Sequence, residues 1–332
     1  MPAFNCCSMA SWLKFISIDI QLLYILLYNV LYCNCWISAA IIVTDILTAS
    51  ANLADTYIIL NFYEIVKMNY NGEWNMDLEY AKRRFEEYLD GYDRGNDKIR
   101  LKIVHTYGVM ECSRQIAERL GLSKEDESLA ELIGLLHDIG RFEQLKRFDS
   151  FEPGTMDHAA FGAEILFTEG MIREFVREDT EDDIIRTAIL KHSDFKLEGI
   201  DEERTLLHAK LIRDADKLDN CRVKLEDPIE TLLGVSKEEA GRSRISPEVM
   251  EQFMSGNSIQ SETRKTKMDY WVSYLAYFFD INFDVSLDII REQKFAERMI
   301  ERIPCEDPDT AQKMEIIRRK LKSLPIRGRR RE

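Results

Sequence analysis

An adjacent His-Asp pair at the end of an apolar helix is the feature that most limits what this chain can become. In Glu131-Leu-Ile-Gly-Leu-Leu-His137-Asp138-Ile-Gly-Arg141, the residues Ala130, Ile133, Gly134 and His137 fall at i, i+3, i+4 and i+7. That spacing puts the imidazole on the helix's buried stripe. Asp138 follows it into the same interior. Burying a carboxylate without a positive partner costs on the order of several kcal/mol, so a cation has to meet it there. A metal ion is the simplest candidate. Gly140 is expected to let the backbone turn away after the pair.

The remaining sequence reads as a helical shell around that point. Of 332 residues, 45% are hydrophobic and 31% charged, with only 15 Gly and 7 Pro. These are too few turn formers for a sandwich or barrel, so the expected class is all-α. Amphipathic spacing predicts helices over residues 78–92 and 97–120, the second capped at Asn96 or Asp97 and closed by Gly121. Ser123 opens the helix that ends at His137. A loop is expected over 141–157, and then a helix from His158, capped by Asp157. In that helix, small Ala159, Ala160, Gly162 and Ala163 permit close approach of another. Further helices are expected over 181–192 and 202–221. Residues 226–262 read as polar and loop-rich, and 263–302 as helical, with Trp271, Tyr274, Tyr277, Phe278 and Phe279 packing on the domain. The tail from Lys313 is basic and ends Arg327-Gly-Arg-Arg-Arg331. It reads as a solvated helix with a frayed end, or as a contact for phosphate or a partner.

Residues 1–67 differ in kind, with Lys14 their only basic residue before Lys67 and long apolar runs between Asp19, Asp45, Asp55 and Glu64. They fit translated sequence upstream of a start at Met68 or Met76, a membrane anchor through residues 12–60, or a peripheral hairpin. The expected organisation is therefore an apolar extension (1–67), a metal-binding domain (68–225) and a C-terminal helical region (226–332). The net charge of −14 argues against a nucleic-acid partner. Seven cysteines, spaced neither as a disulfide framework nor as a zinc ribbon, suit a reducing compartment. The expected location is the cytoplasm, or a membrane with the domain on its cytoplasmic side if the extension is an anchor.

Helical periodicity turns several further polar residues inward. His105, Val109, Cys112 and Ile116 share a face, as do Ile185, Ala188, Ile189 and His192, and as do His208, Ile212 and Asp216. One inward histidine is ordinarily a core imidazole bonded to backbone. Four, together with two inward carboxylates, suggest a metal site. Imidazole and carboxylate donors suit Mn, Fe, Co, Ni or Zn.

The order His105, His137-Asp138, His158, His192, Asp216 resembles the HD-domain superfamily of metal-dependent phosphohydrolases. Leu136-His-Asp-Ile-Gly and Asp214-Ala-Asp-Lys-Leu look like that superfamily as well. The resemblance spans roughly residues 95–225 and implies an all-α bundle. It also implies a first metal held by His105, His137, Asp138 and Asp216, and a second held by Asp138, His158 and His192. Two such ions would activate a water for attack on a phosphomonoester or phosphodiester, most simply a nucleotide. Asp138 would bridge the ions, while Arg141 and Lys217 would meet the substrate phosphate, with Lys191 a weaker third. His208 falls outside the pattern and reads as structural. A Gly-Tyr-Pro motif, which marks the cyclic-di-GMP branch, is absent. Two other readings remain open: a di-iron oxygenase with the same ligands, and a nucleotide-binding regulator without catalysis.

Overall fold

The computed structural model describes residues 76–152 and 154–323. The apolar extension and the arginine-rich end of the tail lie outside the described residues, as do the anchor and upstream-start readings attached to the extension. Among the described residues there is no strand, and no helix is long and apolar enough to cross a membrane.

The described residues belong to one compact unit. Its first helix, α1 (Leu78–Leu89), buries Ala81, Phe85 and Leu89. α2 (Asp97–Leu120) opens where the Asn96 side chain accepts from the Lys98 and Ile99 N–H groups, and it ends at Gly121, whose φ is 68°. α3 (Lys124–Leu136) is capped by Ser123 and runs into His137. These helices end where local cap chemistry dictates.

Of the loop expected over 141–157, the described residues from Asp149 onward are non-helical, but the first part is a correction, because residues 141–148 are helical. α4 (Ile139–Phe148) restarts directly after Asp138 and buries Phe142, Gln144 and Leu145. Gly140 has an ordinary helical backbone and makes no turn. A Cβ on it would stand 2.3 Å from the carbonyl oxygen of His158 and 2.6 Å from the nitrogen of Gly162. The glycine is there so that α5 (His158–Ala163) can cross α4 almost backbone to backbone. A π-type stretch, Glu164–Thr168, continues α5.

α6 (Asp182–Lys191) ends at His192, and α7 (Glu203–Glu226) is the long central helix. α2 packs along both α3 and α7, and α6 packs against α7 and α5. α7 is buried nearly all round, including Arg213, Asp214, Lys217 and Asp219. That is why its hydrophobic periodicity is weak in sequence.

Beyond α7 the stretch read as loop-rich contains α8 (Ile229–Leu233), α9 (Lys237–Arg242) and α10 (Pro247–Ser255). α11 (Lys267–Leu275), α12 (Asp284–Glu292), α13 (Phe295–Arg302) and α14 (Pro308–Lys322) follow. Trp271 is fully buried and donates from its indole nitrogen to the Met299 carbonyl at 3.0 Å. The hydrophobic core runs without a break from Ala81 to Leu321.

Candidate metal centre

Four helix segments converge on Asp138. His105 comes from the middle of α2, His137 and Asp138 from the α3–α4 junction, His192 from the end of α6, and Asp216 from the middle of α7. His158 joins from the first turn of α5. All six sequence-derived candidates are brought together.

The two oxygens of Asp138 face different groups. Oδ2 lies 3.8 Å from His105 Nε2 and 3.5 Å from His137 Nε2. Oδ1 lies 3.4 Å from His158 Nε2 and 3.7 Å from His192 Nε2. Asp216 Oδ1 sits 3.0 Å from His105 Nε2 and 3.8 Å from His137 Nε2. Two overlapping sets could each hold an ion: His105, His137 and Asp216, and His137, Asp138 and His192.

The imidazoles are oriented from behind. His137 Nδ1 is 2.7 Å from the Gly134 carbonyl, and His192 Nδ1 is 2.6 Å from that of Ile189. A carbonyl can only accept, so each Nδ1 carries the proton and each Nε2 keeps its lone pair for the centre. His105 Nδ1 is held by Asp219 Oδ2 at 2.7 Å.

The donor set fits a divalent cation. His105 Nε2, His137 Nε2 and Asp138 Oδ1 are buried without a hydrogen-bond partner. Orphaned buried acceptors of this kind are rare and costly, and an ion between them would satisfy all three.

Electrostatics separate the imidazoles. Burial pushes the His137 pKa down to about 4. Burial and then the Arg141 guanidinium push His158 well below the usual histidine range. Both rings are thus neutral near pH 7, as ligation requires. Burial and Lys102 also push His105 down, but Asp216 and Asp219 outweigh them and raise it. Burial alone would raise the Asp138 carboxyl; Lys102, followed by His137, holds it well below the usual carboxylate range.

Two site residues escaped the sequence reading. Lys102 donates from Nζ to Asp138 Oδ2 at 2.6 Å. Its position three residues before His105 on α2 was the available signal. Asp219 stands three residues after Asp216, one turn along α7. Gly108 makes room for Asp219, since a Cβ there would meet its Oδ1 at 1.9 Å.

The expected phosphate-binding cations divide. Arg141 remains at the centre, bonded to Gln144 and donating to His158 Nε2 at 2.9 Å. Lys217 turns away, pairing with Asp280 at 2.9 Å alongside Arg213. Lys191 pairs with Asp194 at 2.9 Å. His208 lies elsewhere, with Nε2 3.0 Å from Asp126.

Compared with known proteins, residues 103–221 match the family model described as "HD domain". No curated protein and no solved structure matches the chain.

Proposed function

We propose that this protein, whose residues 103–221 match the HD-domain family model, hydrolyses a phosphomonoester or phosphodiester, like the metal-dependent phosphohydrolases that its motifs resemble. A nucleotide is the favoured substrate. The observation that carries the reading is Asp138, whose two oxygens serve separate histidine groups while its neighbours keep unpartnered lone pairs.

In this reading His105, His137, Asp138 and Asp216 hold one transition-metal ion, and Asp138, His158 and His192 hold another. Such ions lower the pKa of a bound water toward neutrality and neutralise phosphate oxygens. The chain's own residues do the rest. Asp138 joins the two halves while Asp219, Gly134 and Ile189 lock the rings that face it. Lys102 and Arg141 flank Asp138 and offer cationic N–H donors to the substrate's phosphate. For Arg141 this requires letting go of His158 Nε2, which frees that nitrogen to ligate. Lys217, neutralised by Asp280, orients α7 and has no direct part.

The test is metal content per chain by elemental analysis, together with hydrolysis of a nucleotide panel. The full chain, loaded with Mn, Fe or Zn, should carry about two ions and release phosphate. Asp138→Ala should lose both the ions and the activity, and His158→Ala should retain about one ion. Turnover surviving in Asp138→Ala would defeat the mechanism. Iron with oxygen-dependent turnover would instead favour the oxygenase. No metal uptake at all would favour a binding module.

A further inference from the structure

Lys224 lies on α7 two turns beyond Asp216 and on the same face, with Asn220 between them. Its residue is only 8% exposed, and no carboxylate among the described residues pairs with it. Buried lysines ordinarily have such a partner. The Lys224 ammonium instead sits 4.4 Å over the Tyr274 ring, a contact that compensates only part of its lost hydration.

The row leads away from the candidate centre. Asn220 donates to Asp216 Oδ1 at 2.8 Å. Eight helical residues rise about 12 Å along α7 from Asp216 to Lys224. Tyr274 and Tyr277, half-buried and 5.9 Å apart between ring centres, stand beside the row. Asp216 acts electrostatically on both Lys224 and Tyr277. Arg264 adds a second cation, stacked 4.7 Å over Tyr270, with its charge reaching Tyr274 and Tyr277. It too lacks a carboxylate partner among the described residues. Glu152, whose charge also reaches Tyr274, is exposed.

We propose that Lys224, walled by Tyr274 and Tyr277, binds a second phosphate of the substrate, remote from the one at the Asp138–Asp216 centre. This rests on the phosphohydrolase reading and deepens it. The substrate class becomes a bisphosphorylated small molecule rather than a simple monoester. A row of Asp216, Asn220 and Lys224 along one helix face would measure the spacing between the two phosphates.

The test uses two nucleotides that differ by one phosphate, adenosine 5′-monophosphate and adenosine 3′,5′-bisphosphate, with metal-loaded wild type, Lys224→Met and Lys224→Arg. Lys224→Met should raise KM for the bisphosphate at least tenfold while kcat, and KM for the monophosphate, stay within about twofold. Lys224→Arg should restore part of the loss. Equal effects on both nucleotides, or none on either, would overturn the subsite. If wild type turns over neither nucleotide, melting temperature decides. A rise with the bisphosphate in wild type but not in Lys224→Met supports the subsite while hydrolysis of these compounds fails. The same shift in both proteins, or no shift in either, overturns it.

Discussion

A single carboxylate behind a histidine illustrates how much of this site is held from outside it. Asp219 contacts His105 at 2.7 Å and faces no candidate ion itself, yet it decides which ring nitrogen points inward. Removing such an orienting group typically weakens metal affinity about 10–100-fold. Asp219→Ala is therefore expected to keep its fold, by circular dichroism, and to lose metal at a chelator concentration roughly tenfold or more below that needed for wild type. Lys224 makes a complementary case, because there a charge is retained at a cost. Burial lowers its pKa from 10.5 to about 8. The folded value lies below the unfolded one, so the penalty is full below about pH 8 and disappears above about pH 10.5. Lys224→Met should raise stability at pH 7 by on the order of 3 kcal/mol at most. Denaturant titrations should show that gain shrinking as pH rises toward 10. A gain that grows with pH would mean that the ammonium has a stabilising partner.

At the scale of elements, the site depends on how closely two helices approach. α4 begins at Ile139, one residue after Asp138, and α5 begins at His158, so their crossing sets the distance between the Asp138 and His158 side chains. Gly140 and Gly162 form that crossing. Gly140→Ala would drive a methyl into the His158 carbonyl, and overpacking of this kind typically costs about 1–3 kcal/mol or more. Expected are a clearly lower melting temperature and weaker binding of the ion that needs His158. An unchanged melting temperature would show that α5 can slide without cost. The helix–loop misreading over 141–157 arose here. Pro153-Gly154 is a loop signal only for the residues after Phe148, whereas Phe142 and Leu145 carry the helical period that identifies α4.

At the scale of the molecule, the HD segment and the C-terminal helices share one core. Residues of α7 beside Asp216 are bonded across to the later chain. Asp214 accepts from the backbone N–H groups of Asn282 and Phe283 at 2.9 and 3.0 Å. Arg213 and Lys217 both pair with Asp280. A chain truncated after residue 226 would leave the buried Asp214 and Arg213 without those partners and expose the faces of α2 and α7 on which α12 and α13 pack. Such a chain should be insoluble or molten, with its near-ultraviolet dichroism lost. A cooperative melt of the truncated protein would show that the HD segment folds alone.

The sequence by itself determined the helical class, the caps at Ser123 and Asp157, and the inward direction of His105, His137, His192 and Asp216. These follow from period, cap chemistry and the cost of burying charge, all of which are local. Only the tertiary structure decided which cations meet at Asp138, because a lysine's partner is chosen across helices. Lys102 and Lys217 each lie close to a candidate ligand in sequence, yet one turns to Asp138 and the other to Asp280. Lys224 shows the same limit most clearly. No carboxylate among the described residues pairs with it, and its ammonium lies instead over Tyr274 of α11, a contact fifty residues away in sequence that no helical periodicity records.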